Sequence, residues 1–195
     1  MKKLIKLTAT MLILGSVVYA CKVKQQQPSL SYEIKQAILP NKRDALITEM
    51  LAKNWVINVV NYQADTRKNV LYERGVAANL HDYSKESFKL TTEERVDYTD
   101  GAGKIHHGTW TLRDDNTKLL MTFEDGEEIT WSIVNTDKNH LDLHLAIDAN
   151  KVKWDIHDLN QIDISTAVVL AGFYAGIVDE DTEKVNVTYR MMPRS

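Results

Sequence analysis

The side chains best suited to metal chemistry are His140, Asp142 and His144, which alternate along one predicted strand. A spacing of two residues places all three on one strand face, where two imidazoles and a carboxylate could approach one metal ion. Leu141, Leu143 and Leu145 alternate with the triplet and are expected to face the core, so we expect the triplet to face solvent. A closed zinc site needs a fourth ligand, and His107 could supply one only from an adjacent strand. No metal is therefore expected, and the triplet is the candidate if one binds.

Tryptophan is the second residue type with functional potential. All four tryptophans occupy alternating positions that predict burial inside a sheet: Trp55, Trp110, Trp131 and Trp154. They could fill the interior of a barrel, because each aromatic side chain buries a large apolar area. Alternatively, some of them could line a pocket for an apolar or aromatic ligand. The second interpretation defines a candidate ligand-binding set: Trp110, Trp131, Trp154, Tyr98, Met121 and Phe123.

Catalytic signatures are missing from the sequence. It contains no Gly-x-Ser-x-Gly elbow, no His-Glu-x-x-His motif and no phosphate-binding glycine loop. The adjacent pairs Glu93-Glu94 and Glu127-Glu128 point to opposite faces of a strand, which suits them poorly to acid–base catalysis. We therefore predict a protein that is not an enzyme and has no cofactor.

The elements that must position these residues are antiparallel strands. From Lys104 to Ile156 the apolar residues recur with a period of two, and short turns rich in Asp, Asn and Gly separate the runs. The pattern predicts an all-β, antiparallel up-and-down barrel of about 8 to 10 strands. The last run of this series would contain Val152, Trp154 and Ile156.

The flanking segments complete the predicted domain. A helix that starts at Asn41 leads into a strand over Asn54–Gln63, with Trp55, Ile57 and Val59 facing inward. Val76–Lys85 is predicted as a loop. Ser165–Val178 suits either a buried helix or a core strand with a bulge, and Lys184–Met192 predicts the closing strand.

The first residues predict export. A basic start, an apolar stretch over Leu7–Val18 and a small residue before Cys21 are typical of a cleaved signal peptide. Cys21, the only cysteine, resembles the lipidated cysteine of a bacterial lipobox. We predict a signal peptide over residues 1–20, a lipid-anchored tether over 21–31 and a barrel domain over 32–195. Ordinary secretion with a free thiol is the alternative.

Several motifs together resemble the lipocalin-like lipoproteins of Bacteroidetes. They are the helix that runs into Trp55, the Gly108-Thr109-Trp110 strand, the Asp-Gly turn, and the strands around Trp131 and Leu143. The resemblance implies a lipocalin-like barrel that binds a small ligand. One departure is Lys53, where lipocalins carry the glycine of a Gly-x-Trp motif. The basic Lys22-Val23-Lys24 after the cysteine implies retention on the periplasmic side of the outer membrane.

Two functions follow as expectations. The first is non-covalent binding of a small hydrophobic ligand inside the barrel by a protein anchored to the outer membrane. The second is a non-enzymatic scaffold or accessory subunit, whose filled barrel docks an envelope protein. The formal net charge of −3 argues against a nucleic-acid partner.

Overall fold

Nine antiparallel strands form the sheet of the computed structural model, which describes residues 44–152 and 163–194. The strands are β1 (Asn54–Ala64), β2 (Arg67–Glu73), β3 (Ser87–Leu90), β4 (Arg95–Thr99), β5 (Ile105–Arg113), β6 (Lys118–Phe123), β7 (Glu128–Thr136), β8 (Leu141–Asp148) and β9 (Lys184–Pro193). Two helices accompany them within these ranges: α1 (44–51) and α2 (Ile164–Tyr174). Neither is long and apolar enough to span a membrane.

The sheet closes on itself because β9 pairs with β8 along one edge and with β1 along the other. The closed ring runs β1-β3-β4-β5-β6-β7-β8-β9 and contains eight strands. The extra strand, β2, pairs with the second half of β1 on the same edge that β3 uses for the first half. The predicted all-β, antiparallel up-and-down barrel is confirmed.

Tight turns set the register of the meander, as their composition predicts. Asp114, Asp115 and Asn116 all adopt left-handed φ angles between β5 and β6, a conformation that short polar side chains tolerate. Gly126 does the same between β6 and β7. The Asp137 carboxylate caps the next turn by accepting from the backbone amides of Asn139 and His140, at 2.6 and 2.9 Å.

A bulge in β1 corrects the predicted facing of that strand. Opposite β9 the register shifts between Ile57 and Val59, so the inward set changes from Trp55 and Ile57 to Val60 and Tyr62. Val59 is half-buried and was wrongly assigned to the core. An extra residue in one strand reverses every following side chain, so strict alternation fails at this point.

Ser165–Val178, for which the sequence allowed either a buried helix or a core strand, contains most of the helix α2 and no strand. The predicted fifth run of the meander does not begin at Val152, because a 3₁₀ helix over Ala149–Lys151 precedes it and Val152 lies in a bend. The described residues do not include Trp154, Ile156 or Asn41. They also do not include Cys21 or any part of the predicted leader and tether.

Candidate functional site

A cavity of about 600 Å³ lies at the barrel end where the chain passes from β1 to β2 and from β4 to β5. Three segments enclose it: the connection between β2 and β3, the turn after β4, and α2. Its lining consists of Asn79, Leu80, His81, Asp82, Tyr83, Glu86, Tyr98, Asp100, Gly101, Ala102, Ile164, Ala167, Val168, Ala171 and Tyr189. The volume falls in the range typical of small-molecule sites.

Helix α2 forms the apolar wall of this cavity and is fixed at both ends. At its start Asp163 accepts from the amide of Thr166 at 2.6 Å, and Glu127 accepts from the amide of Ile164 at 2.6 Å. Carboxylates at a helix N-terminus satisfy free amides and interact well with the helix dipole. Beyond the C-terminus, Asp179 pairs with Arg67 of β2 at 2.7 Å. These contacts hold the helix across the barrel end.

Close packing brings α2 down onto β1. The Tyr62 hydroxyl donates to the carbonyl oxygen of Val168 at 3.2 Å. A Cβ atom at Gly172 would overlap the ring and hydroxyl of Tyr62, so only glycine permits this approach. Burial raises the pKa of Tyr62, which keeps its hydroxyl protonated. The position of the cavity wall therefore depends on one small residue.

Glu86 is the buried acid of the cavity. Only 6 % of its surface is exposed, and its Oε2 atom accepts from the Tyr98 hydroxyl at 3.2 Å. Burial raises the pKa of Glu86 to about 8, because the charged carboxylate loses its hydration, and the nearby Asp100 and Asp82 carboxylates reinforce the shift. At neutral pH most copies of the protein therefore carry a protonated Glu86.

Two other ionisable groups of the cavity, Asp100 and His81, also have shifted pKa values. Asp100 lies 3.1 Å from His106 Nε2 and accepts from the amide of Lys104 at 2.9 Å. Burial raises the pKa of Asp100, but these two partners outweigh it and the net shift is downward. Burial also lowers the pKa of His81, which favours the neutral imidazole. Unlike Asp100, which lies beside the His106 imidazole, Glu86 has no histidine, lysine or arginine partner among the described residues.

Beneath the cavity the barrel interior is filled by aromatic rings. Trp131 packs against Tyr189 with ring centroids 5.1 Å apart and against Phe88 at 6.1 Å. Phe88 stacks on Tyr98 at 4.8 Å, and Tyr83 meets Tyr189 edge to face at 5.6 Å. These contacts form the floor of the cavity, so the open space lies at the end of the barrel and not along its axis.

The predicted ligand-binding residues divide between core and cavity. Tyr98 lines the cavity, whereas Trp110, Trp131, Met121 and Phe123 are buried in the core. Trp154 lies outside the described residues. Trp110 also donates its indole N–H to the carbonyl oxygen of Thr91 at 3.2 Å, near the opposite end of the barrel.

Of the predicted triplet, Asp142 and His144 belong to β8 and His140 directly precedes it, and the two histidines have separate partners. His140 is exposed and sits 3.1 Å from Asp137, while His144 Nδ1 lies 3.2 Å from the Thr188 hydroxyl of β9. Within the described ranges no group of three or more potential ligands is close enough to hold a metal ion.

Another cavity of about 600 Å³ lies between β1, β2, β8 and β9. Its lining is rich in amide and hydroxyl side chains: Asn61, Tyr62, Gln63, Lys68, Asn69, Val70, His144, Asn186 and Thr188. No carboxyl group lines it, whereas the end cavity contains Glu86. We therefore take the end cavity as the candidate site.

Sequence reasoning missed Glu86, Tyr83 and His81, because all three fall in or next to a segment predicted only as a loop. An available signal was the concentration of His81, Asp82, Tyr83 and Glu86 within six residues. What the sequence did not reveal is that this loop turns inward against α2. Tyr189 falls within the predicted closing strand Lys184–Met192, but the sequence did not mark it as part of a site.

The fold and the cavity together define an antiparallel β-barrel that has, beneath the helix α2 at one end, a cavity of the size that binds small molecules. No protein-family model matches the chain, and no curated protein matches it. Among solved structures it is similar to a lipocalin-like protein from Bacteroides uniformis, with 8 % sequence identity and a TM-score of 0.35. That match covers 74 % of this chain and 99 % of the other.

Proposed function

We propose that this protein binds a small, mainly apolar molecule without transforming it chemically, and that the end cavity under α2 is the binding site. The observation that carries the proposal is the cavity itself, which encloses a buried carboxyl group beside three tyrosines. A barrel alone would not support the proposal, because one fold serves many functions.

The lining supplies both parts of a typical small-molecule site. Ile164, Val168 and Ala171 of α2 present apolar surface, which stabilises a ligand by removing its own apolar area from water. Glu86, Tyr98 and Tyr83 present polar atoms on the opposite wall, where they would orient a ligand. This arrangement favours a ligand with an apolar body and a polar end.

Nile red, a neutral apolar dye whose fluorescence rises on burial, tests the site. Ala167 lines the cavity but has an exposed side chain, so Ala167→Trp should fill the cavity without disturbing the core. Ala146, exposed on the outer face of β8, gives the matched control Ala146→Trp. We expect the wild type and the control to bind the dye and Ala167→Trp to lose binding. Equal binding by all three proteins would refute the site.

A second candidate function is that of an accessory or scaffold subunit of an outer-membrane complex. Its support is the aromatic packing of Trp131, Phe88 and Tyr189, which fills the barrel interior below the cavity. Under this alternative the wild type would not bind Nile red, and chemical crosslinking in intact cells would join it to one envelope protein at a fixed ratio.

We further propose that Cys21 carries lipid and anchors the protein to the outer membrane, facing the periplasm. The support is the basic start, the apolar stretch and the position of the only cysteine directly after Ala20. Several acyl chains together give a lasting anchor. Metabolic labelling with an alkyne fatty acid should mark the wild type and not Cys21→Ser. Protease added to intact cells should leave the protein uncut, and cleavage would indicate surface exposure instead.

A further inference from the structure

The charge of the end cavity is one-sided. Its lining contains three carboxylic acids, Glu86, Asp82 and Asp100, and neither lysine nor arginine. The nearest imidazoles do not compensate, because His81 favours its neutral form and His106 is already paired with Asp100. A ligand that enters this space therefore meets the ionised carboxylates of Asp82 and Asp100 and the carboxyl group of Glu86, with no lysine or arginine of the lining to offset them.

The three acids differ in how many hydrogen-bond partners their carboxyl groups have. Asp82 accepts from the amide of Ser84 at 2.8 Å, and Asp100 is held by His106 and the amide of Lys104. Glu86 has one partner, the Tyr98 hydroxyl on Oε2. Its Oε1 atom makes no hydrogen bond to the described part of the chain, and it is not among the unpartnered polar atoms there that are fully shielded from solvent. Oε1 is therefore the carboxyl atom that a ligand in the cavity could reach.

Aromatic rings surround this carboxyl group. Tyr98 contacts it directly, and Tyr83 and Tyr189 line the same cavity with their rings 5.6 Å apart. The Tyr83 hydroxyl is buried near Tyr189 and makes no hydrogen bond of normal geometry. Aromatic faces attract cations through their ring quadrupole, and the attraction grows when water is excluded.

We propose that the end cavity selects ligands that carry an organic ammonium group, with the nitrogen paired to Glu86 and flanked by the rings of Tyr83, Tyr98 and Tyr189. The inference rests on the proposed binding function and names its ligand class. The apolar wall of α2 would cover the rest of the ligand. Arginine or lysine in the cavity would repel such a ligand, and the lining has neither.

Cation binding should be coupled to release of the Glu86 proton. The titratable groups that face Glu86 come from its own segment, from β4, from the following turn and from β9: His81, Asp82, Tyr83, Tyr98, Asp100 with His106 behind it, and Tyr189. The α2 residues that line the cavity do not titrate. Because burial raises the pKa of Glu86 to about 8, the affinity for a permanent cation should rise with pH and level off above that value.

Two ligand pairs of matched shape test the proposal by calorimetry on the full chain. Choline is compared with 3,3-dimethylbutan-1-ol, and adamantan-1-amine with adamantan-1-ol. We expect at least one cation to bind more than about tenfold tighter than its neutral partner at pH 8.5, since a desolvated charge pair and cation–π contacts add to burial. For choline the preference should shrink about tenfold per pH unit well below pH 8.

Glu86→Gln supplies the decisive variant, because it preserves shape and removes the charge. It should abolish the preference for each cation over its matched alcohol, whereas Glu128→Gln, at an exposed position, should leave that preference unchanged. Equal affinity for cation and alcohol, a preference that survives Glu86→Gln, or failure of both cations to bind would overturn the inference. If Nile red still binds in those cases, the proposed binding function stands; if it does not, both fail.

Discussion

Glu86 is an ionisable side chain that is almost completely buried, so its charged form is disfavoured. A carboxylate that is nearly excluded from water should find a cation or several donors, and this one finds a single tyrosine hydroxyl. The protein lowers the cost by keeping the group protonated over much of the neutral range. Such a group lowers the stability of the fold whenever it is forced to ionise, which makes it measurable.

The pH dependence of stability should reveal Glu86. Its folded-state pKa of about 8 exceeds its ordinary value of 4.5, so the folded protein holds a proton that the unfolded chain releases between these values. Stability should therefore fall as pH rises from 5 to 8, by about 1.4 kcal/mol per unit from this group. Urea unfolding of Glu86→Gln should show this slope removed. An identical slope in both proteins would show that Glu86 ionises normally.

Trp110 is buried in the core and does not line the end cavity. Trp110→Ala should cost about 3 to 5 kcal/mol of unfolding free energy, because it leaves a large cavity and frees the Thr91 carbonyl oxygen. Nile red should bind the folded variant with unchanged affinity. If dye binding is lost while the variant remains folded, Trp110 contributes to a ligand site after all.

At the scale of elements, α2 shows why hydrophobic periodicity was inconclusive. Its sequence, Ile164–Tyr174, is apolar on every side, so no stripe separates a helix from a buried strand. The decisive features are tertiary. Asp163 and Glu127 cap the first turn of α2, and Gly172 within the helix lets Tyr62 approach. Of these partners, Glu127 and Tyr62 are distant from the helix in sequence.

Gly172→Ala should loosen the wall of the cavity. The new methyl group would overlap Tyr62, and relief requires α2 or β1 to shift, at a cost of about 1 to 3 kcal/mol. Tyr62→Phe removes the hydroxyl that suffers the closest overlap, so the double variant should recover part of that loss beyond additivity. Urea unfolding of the four proteins closes the cycle, and strict additivity would show that the two residues do not touch.

Across the whole molecule, β9 closes the barrel because it pairs on both edges, with β8 and with β1. The extra strand β2 has β1 as its partner in the described part of the sheet. Amides of β9 should therefore exchange hydrogen only through global unfolding, and those of β2 through local opening. Native-state hydrogen exchange across a series of denaturant concentrations distinguishes these modes. Equal protection of the two strands would contradict the pairing of β9 along both edges.

The sequence predicted the barrel well where local rules decide. Alternating residues and turns such as Asp114-Asp115-Asn116 set neighbouring strands and their register. It failed at the β1 bulge, because an inserted residue leaves no clear local signature. It missed the site for a similar reason. Glu86 lines a cavity only because α2, the turn after β4 and β9 come together around it. Those contacts join distant parts of the chain, so no local pattern predicts them.

Native mass spectrometry of the full chain, purified gently from its native host, tests the binding proposal most directly. The account predicts a small-molecule adduct of one per chain that disappears on denaturation, persists in Ala146→Trp and is absent from Ala167→Trp. A protein that carries no such adduct, or an adduct that Ala167→Trp retains, would contradict the claim that the end cavity is a ligand site.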